Sequence, residues 1–293
     1  MKTKGKNKSK KHRGRGCLTA LIILALIAAA AAFLIKDSRE DLEISRYEVA
    51  SQKLPESFDG FKIVQLSDLH GAEFGEDGME LVDKVGSLEP DMIALTGDFV
   101  TDEGDLAAVE KLAARLVKLC PVYFISGNHE FGSGLAVKVR NILERAGVKY
   151  LSNEYLTINR GDDEILLGGV EDPLAYADML SPDELAQKMN DAAPDAFKIL
   201  LGHRNYWMTE YPELPVDLIF CGHAHGGLIR IPGVGGLIGT DRRLFPDFDA
   251  GQFNNGRYTL IVSRGLGNSV SIPRIFNRPE IVCVELTRAY ARA

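Results

Sequence analysis

Five of the six histidines in this chain of 293 residues share one local setting. Each follows a short apolar run that predicts a β-strand, and each stands beside glycine, aspartate or asparagine. The same strand ends carry two aspartates and one asparagine, so imidazole, carboxylate and amide groups occur together there. In chain order, the candidate side chains are Asp68, His70, Asp98, Asn128, His129, His203, His223 and His225.

These side chains are expected to converge, because ligands bind at the carboxyl ends of the strands in open α/β sheets. Mixed imidazole and carboxylate ligands favour Zn, Fe, Mn or Ni over Mg or Ca. Seven ligands drawn from these eight side chains would exceed the number that one catalytic zinc ion takes from a protein. A carboxylate shared by two ions would account for the surplus. Paired ions ~3.5–4 Å apart are a recurrent device for displacement at phosphorus. The pattern therefore predicts two divalent ions in a phosphoester hydrolase.

Any one of these motifs alone is usually an ordinary turn without a catalytic role. Five of them in order, each at the end of a predicted strand, are not explained by five independent turns. Glycines at positions 97, 127, 202 and 222 would permit the tight turns that hold the side chains inward.

Strands and helices alternate through the first half of the chain, which predicts right-handed crossovers and a largely parallel sheet. If the chain stays extended after residue 125, Asn128 and His129 project to opposite sides. The predicted strands here are 44–50, 61–66, 91–95 and 121–125, and the predicted helices are 78–88, 106–119 and 134–146.

The second half begins with a hairpin and contains a long segment rich in glycine and proline, residues 226–255, which predicts a loop. The predicted strands are 155–159, 164–168, 197–201, 216–220, 257–262 and 280–286, with a helix at 182–189.

The N-terminus combines a basic tail with an apolar run. Residues 1–15 hold eight basic side chains and no acidic one, and residues 17–35 carry no charge. Nineteen helical residues would span ~28 Å, about one hydrocarbon core. We expect a retained single-pass anchor, and a cleaved signal peptide is the alternative. The basic tail predicts a cell-membrane protein with a cytoplasmic N-terminus and an extracytoplasmic catalytic domain.

The remaining charge argues against one class of partner. The whole chain has a net charge of −7, and without the eight basic tail residues 26 basic side chains face 41 acidic ones. So acidic a domain is a poor binder of nucleic-acid backbones, and no nucleic-acid partner is expected. Of the four cysteines, Cys120, Cys221 and Cys283 lie in or beside apolar strand-like runs, which predicts buried free thiols.

Five motifs in this order resemble the signature of the calcineurin-like metallophosphoesterases, over roughly residues 44–288. The resemblance implies an α/β fold of four layers, α-β-β-α, here preceded by one N-terminal transmembrane helix. The motifs are Asp68-Leu-His70, Gly97-Asp98, Gly127-Asn128-His129-Glu130, Gly202-His203 and Gly222-His223-Ala224-His225.

The same resemblance implies a role for each candidate. His129 would be the histidine that binds no metal and protonates the leaving oxygen. Glu130 stands where many members have aspartate, a departure that bears on how His129 is oriented. The implied ligands are Asp68, His70 and His225 for one ion, Asn128, His203 and His223 for the other, and Asp98 as the bridge.

Finer features, such as the segments at 225–232 and 263–268, resemble the membrane-associated bacterial members, some of which are similar to UDP-diacylglucosamine pyrophosphatases. The expected substrate is therefore a phosphate ester at the outer membrane-facing surface, such as a lipid-linked phosphate or pyrophosphate. The alternatives are soluble nucleotide or protein substrates, or a catalytically idle membrane-tethered binding module. The expected organisation is a cytoplasmic tail (1–16), an anchor (17–35), a stalk (36–43), the phosphoesterase domain (44–288) and a C-terminal tail (289–293).

Overall fold

A computed structural model describes residues 8–175, 179–240, 242–270 and 272–290, with side chains described at residue 19 and from residue 21 onward. The expected basic tail falls partly outside these residues, at positions 1–7, as does the C-terminal tail at 291–293. The first element is helix α1, Lys8–Glu40. Within the described residues, its segment Leu21–Glu40 is the one helix long and apolar enough to cross a membrane. The helix continues through residues 36–40, where we expected a stalk.

The other elements alternate as the apolar pattern predicts. The helices after α1 are α2 (Met79–Gly86), α3 (Leu106–Leu116), α4 (Asn128–Gly132), α5 (Ala136–Ala146), α6 (Pro182–Ala192) and α7 (Trp207–Glu210), with 3₁₀ turns at Glu56–Phe58, Glu76–Gly78 and Glu103–Asp105. The strands are β1 (Glu43–Ser51), β2 (Phe61–Leu66), β3 (Met92–Thr96), β4 (Val122–Ile125), β5 (Lys149–Tyr150), β6 (Glu154–Arg160), β7 (Asp163–Gly169), β8 (Lys198–Leu201), β9 (Leu218–Cys221), β10 (Ile229–Ile231), β11 (Gly235–Ile238), β12 (Gly251–Asn254), β13 (Thr259–Val262) and β14 (Glu280–Arg288).

Within the described residues, the strands form two six-stranded sheets and one hairpin, β10–β11. The first sheet has the order β1-β14-β2-β3-β4-β5, and β2 to β5 are parallel. The second has the order β12-β13-β9-β8-β7-β6, in which β13, β9, β8 and β7 are parallel. Because Leu66 pairs with Leu95, and Thr96 with Ile125, the loops after β2, β3 and β4 leave at the same edge.

Three apolar clusters hold the layers together. The central one joins the two sheets face to face, with Ile63 and Ala94 from the first and Ile199 and Phe220 from the second. The first sheet packs its other face on α2, α3 and α5, and the second packs on α6 and α7. Burial of this apolar area supplies the main driving force for the fold. The chain therefore has the four-layer α-β-β-α architecture that the resemblance implied.

The fold differs from the sequence-based expectation at two places near the sheet edge. The segment 226–255 is not simply a loop, since it contains β10, β11 and β12. The chain also does not stay extended after β4, because Asn128 and His129 are the first residues of α4. This short helix begins where the Glu130 carboxylate accepts the Gly127 backbone N–H at 2.8 Å, an arrangement that satisfies a free donor at a helix start.

Candidate metal centre

All eight predicted side chains meet at one edge of the two sheets. The loops after β2, β3 and β4 provide one half, and the loops after β8 and β9 provide the other. Three overlapping groups place their potential ligand atoms within 4.8 Å of one another. The groups are Asp68, His70 and His225; His70, Asp98 and His129; and Asp98, His203 and His223.

Asp98 stands close to histidines from both halves of this cluster. Its Oδ2 is 3.1 Å from Nε2 of His203 and 3.7 Å from Nε2 of His70. Its Oδ1 accepts the backbone N–H of His129 at 2.8 Å. One oxygen of the Asp98 carboxylate thus faces the imidazoles of both His70 and His203, as a bridging ligand would.

The donor spacing fits metal ions. Nε2 of His70 lies 3.3 Å from Nε2 of His225, and Nδ1 of His223 lies 3.3 Å from Nε2 of His203. Two imidazole nitrogens bound at ~2.0–2.1 Å to one tetrahedral ion would lie ~3.4 Å apart. Oδ1 of Asn128 is 3.1 Å from Nε2 of His203, so an amide oxygen joins the second group. The residues present therefore fit two adjacent ions.

Burial controls the charge of these imidazoles. It lowers the pKa of His70 and of His223 to about 3 and holds the pKa of His225 well below its usual value. Burial also opposes the charge on His203, but the adjacent Asp98 carboxylate raises the pKa of that imidazole to about 10. Three rings thus offer free lone pairs at neutral pH, and the fourth would release its proton on binding a cation.

Backbone geometry at the cluster is unusual. Five of its members have φ between 48° and 66°, in the left-handed region that residues other than glycine seldom adopt. Such conformations cost of order 1–3 kcal/mol each and occur mainly where the surrounding structure enforces them, often at functional sites. These members are Asp68, His70, Asp98, His223 and His225.

The glycines beside the cluster work mainly by close approach. Only Gly97 of the four expected turn glycines has a positive φ, of 85°. A Cβ added at Gly127 would lie 2.3 Å from Oδ1 of Asp98, far inside van der Waals contact. A side chain at Gly127 would therefore displace the central carboxylate.

Glu130 braces the loops after β3 and β4. Its buried carboxylate accepts backbone N–H groups from Gly127 at 2.8 Å, Asp98 at 2.9 Å and Phe99 at 2.7 Å. A further bond comes from the backbone of Val100 at 3.2 Å. The loops after β3 and β4 are thereby held together by one side chain. Glu130 therefore bears on the position of His129 through the backbone of these loops.

His129 belongs to the cluster, where it is grouped with His70 and Asp98, and it is only partly buried. Its ring meets the ring of His70 edge-on, with centroids 4.6 Å apart. The residue is in the first turn of α4, so it projects at an angle to Asn128 rather than directly opposite.

Other polar residues near the cluster have structural partners. Arg204 pairs with Asp172 at 2.7 Å and Arg264 with Glu280 at 2.9 Å, while Arg274 is buried among backbone carbonyls. All three guanidinium groups are thus engaged by carboxylates or backbone carbonyls. Trp207 packs in the core.

Sequence reasoning missed Asn277, whose Nδ2 donates to the backbone oxygen of His225 at 2.7 Å. No local motif marks this residue, because it lies 52 positions after the histidine that it supports.

The prediction that the cysteines are buried free thiols is confirmed only in part. Cys120, Cys221 and Cys283 are free in the described structure, but Cys120 is partly exposed.

A cavity of about 790 Å³ opens beside the cluster at His70. Its lining also includes Ile35, Arg39 and Glu40 from the last turns of α1. A second cavity, of about 330 Å³, lies beside His223 and includes Tyr206 and Asn205. The cluster therefore has open space on two sides, and one side borders the apolar N-terminal helix.

Comparison with known proteins agrees with this geometry. Residues 61–227, which include every motif of the cluster, match the family described as calcineurin-like phosphoesterase. An uncharacterized metallophosphoesterase of Aquifex aeolicus is 31% identical, covering 84% of this chain and 92% of its own length. A phosphodiesterase of Escherichia coli is 28% identical, covering 77% and 82%. UDP-2,3-diacylglucosamine pyrophosphatase of Chlamydia muridarum is 25% identical, covering 78% and 85%.

The family match spans more than half of the chain, and its residues form the expected cluster at the sheet edge. The chain therefore belongs to the calcineurin-like phosphoesterase family and is a metal-dependent phosphoester hydrolase.

Proposed function

We propose that this protein hydrolyses a phosphate or pyrophosphate ester carried by a membrane lipid, at the outer surface of the cell membrane. The supporting observation is the cavity of about 790 Å³, because His70 and the last turns of α1 share its walls. A lipid entering beside the helix would bring its phosphate to the cluster without leaving the membrane surface. The relatives named as phosphodiesterase and diacylglucosamine pyrophosphatase are consistent with this substrate class.

Two divalent ions would be held by seven side chains and, when bound, would activate water and neutralise the phosphoryl oxygens. The position of Asp98 between both groups supports its assignment as the bridge. The proposed ligands are Asp68, His70 and His225 for one ion, and Asn128, His203 and His223 for the other.

The chain's own residues supply the remaining chemistry. His129, partly exposed beside His70, donates a proton to the leaving oxygen. Glu130 fixes the backbone that carries Asp98 and the start of α4.

The test uses the full chain in nanodiscs, supplied separately with Mn, Fe, Zn or Ni. We expect metal-dependent hydrolysis of a soluble aryl phosphodiester. A lipid diphosphate in the same bilayer should be hydrolysed at least about tenfold faster than its deacylated soluble counterpart, because confinement beside the site raises effective concentration. Equal rates would remove the lipid assignment, and no turnover with any metal would favour an idle module.

The proposed orientation has its own measurement. With α1 retained, protease added to intact cells should digest residues 36–293 and spare the N-terminal tail. A mature protein that begins near Lys36 and dissolves without detergent would contradict the anchor and support a cleaved signal.

A further inference from the structure

Exposed apolar side chains are concentrated in one part of the chain, residues 231–276. Outside α1, the described residues include eleven large apolar side chains that are exposed, and six of these lie between positions 231 and 276. Scattered exposed apolar residues are ordinary, whereas a concentration in one region marks an interaction surface. We name these six the apolar rim: Ile231, Val234, Leu244, Phe245, Val270 and Phe276.

Hydrogen bonds connect the parts of the apolar rim that come from distant positions. The β10–β11 hairpin, with Val234 in its turn, is joined to the later segment because the Arg230 N–H donates to Ile275 O at 3.0 Å. Phe276 and Val234 line the same cavity. The loop with Leu244 and Phe245 is fastened to β11, since the Phe245 N–H donates to Leu237 O at 3.0 Å.

The apolar rim is continuous with the end of α1. Val270 lines the same cavity as Ile35. The backbone N–H of Asn277, next to Phe276, lies 3.4 Å from the Ser38 hydroxyl that accepts it. Arg278 then pairs with Asp37 at 2.6 Å. The segment that carries Phe276 is therefore fastened to the last turns of the helix, next to its apolar surface.

We infer that the apolar rim is a second membrane contact, which enters the lipid interface beside α1 and turns the mouth of the metal centre toward the bilayer. This inference depends on the proposed retention of α1 as an anchor. A lipid surface is the favoured occupant because the helix that fixes one end of the rim would emerge from the bilayer there. Apolar side chains of interfacial elements lie ~5–10 Å into the boundary between headgroups and acyl chains.

Three residues of the rim also stand at the openings to the cluster. Val270 stands at the cavity beside His70, and Leu244 and Phe245 stand at the cavity beside His223. Both openings would therefore face the lipid interface. A lipid phosphate could reach the metal centre by a short movement along the membrane surface.

The experiment uses the full chain, reconstituted as single copies in nanodiscs. Val234→Trp and Phe276→Trp each place a fluorophore on the rim, and Leu119→Trp is the matched control. Leu119 is 39% exposed but lies just before β4, at the opposite end of the first sheet from the metal centre. The one native tryptophan, Trp207, is buried and gives a constant background that the unmodified chain measures.

Lipids brominated near the top of the acyl chain report contact by quenching. We expect both rim tryptophans to lose about half of their emission, given insertion of ~5–10 Å, while the control keeps its emission. If the rim tryptophans are quenched no more than the control in a chain that still floats with vesicles, that result would overturn the membrane contact of the rim but not the anchor. Failure to float would overturn both the anchor and this inference. If the rim emission changes only when two copies share a bilayer, the rim would instead be a contact between two copies of the chain.

A functional split provides a second measurement should either tryptophan variant fold poorly. Val234→Asp should slow hydrolysis of a lipid-embedded ester while leaving a soluble aryl diester unchanged. Equal rates on the lipid ester with and without the substitution would also overturn the inference.

Discussion

The edge loops, residues 67–71, 97–101 and 126–129, and the apolar rim border the same metal centre but are built differently. In the edge loops the carboxylates of Asp68 and Asp98 are buried and accept backbone N–H groups, as when Asp98 accepts the His129 N–H. In the rim the side chains point outward, and Val234 is 67% exposed. The first arrangement fixes atoms for chemistry, and the second leaves surface for a partner. Damage to the edge loops should therefore affect every substrate, whereas damage to the rim should affect only substrates in a membrane.

The largest effect is expected at the centre of the edge loops. Asp98→Ala should reduce hydrolysis of all esters to background and lower bound metal at both positions, because one oxygen faces both groups of imidazoles. Turnover and metal analysis by mass spectrometry measure this. Asp83→Ala, an exposed aspartate on α2, is the control and should change neither. Loss of a single metal equivalent, with the second still tightly bound, would contradict the bridging role.

Removal of His129 should slow catalysis while leaving metal content intact. General acid catalysis is typically worth ~10²–10⁴-fold, so His129→Ala should lose about that much on an alkyl ester. The loss should be smaller on a nitrophenyl ester, whose leaving group needs little protonation. Comparison of kcat for the two esters measures the difference. An equal loss on both, or a loss of metal, would make His129 a ligand or a structural group.

A smaller effect is expected from Glu130→Gln. The carboxylate accepts N–H groups on both oxygens, so the amide –NH₂ of glutamine must face two backbone donors. A buried unsatisfied donor costs about 1–3 kcal/mol, which should lower the thermal midpoint. Loss of outer support around a metal site typically costs about 10–100-fold in activity or metal affinity.

Both soluble and lipid esters should show the Glu130→Gln loss to the same degree. Glu103→Gln is the matched control, because Glu103 is exposed and pairs with Lys138 at the surface. An unchanged thermal midpoint and unchanged rates would show that Glu130 does not brace the edge loops.

The smallest effect is expected at the rim. Full burial of a valine side chain is worth ~1.5 kcal/mol or more, and partial insertion of Val234 should contribute about 1 kcal/mol. Val234→Ser should therefore slow hydrolysis of a lipid-embedded ester about fivefold and leave a soluble diester unchanged. Leu119→Ser is the control. Equal slowing on both substrates would place Val234 with the edge loops, as a residue that affects the site itself.

The sequence was sufficient to predict elements with a strong local pattern. β2 lies at the predicted residues because Phe61–Leu66 is a short run suited to burial between neighbouring strands. The convergence of eight side chains also followed from their places after predicted strands.

Features that depend on distant contacts could not be predicted in this way. α4 has only five residues, too few for a helical period, and begins where a side chain satisfies the Gly127 N–H. The strands β10 to β12 are three or four residues each and lie in a glycine-rich segment. Support of His225 by Asn277 joins positions 52 residues apart, and the sequence between them gives no local signal for it.

The left-handed backbone at five members of the cluster has a consequence for how such a site can change through mutation. Aspartate, asparagine and histidine tolerate this conformation better than most residues, and glycine tolerates it best. Glutamate and cysteine can also bind metals, but they would meet a backbone barrier at Asp68 or His225 before their chemistry could be useful. Genetic drift away from metal binding would therefore pass most easily through asparagine or glycine. A descendant that had lost its catalytic power could keep the same loop shapes, and this scaffold would remain available for binding.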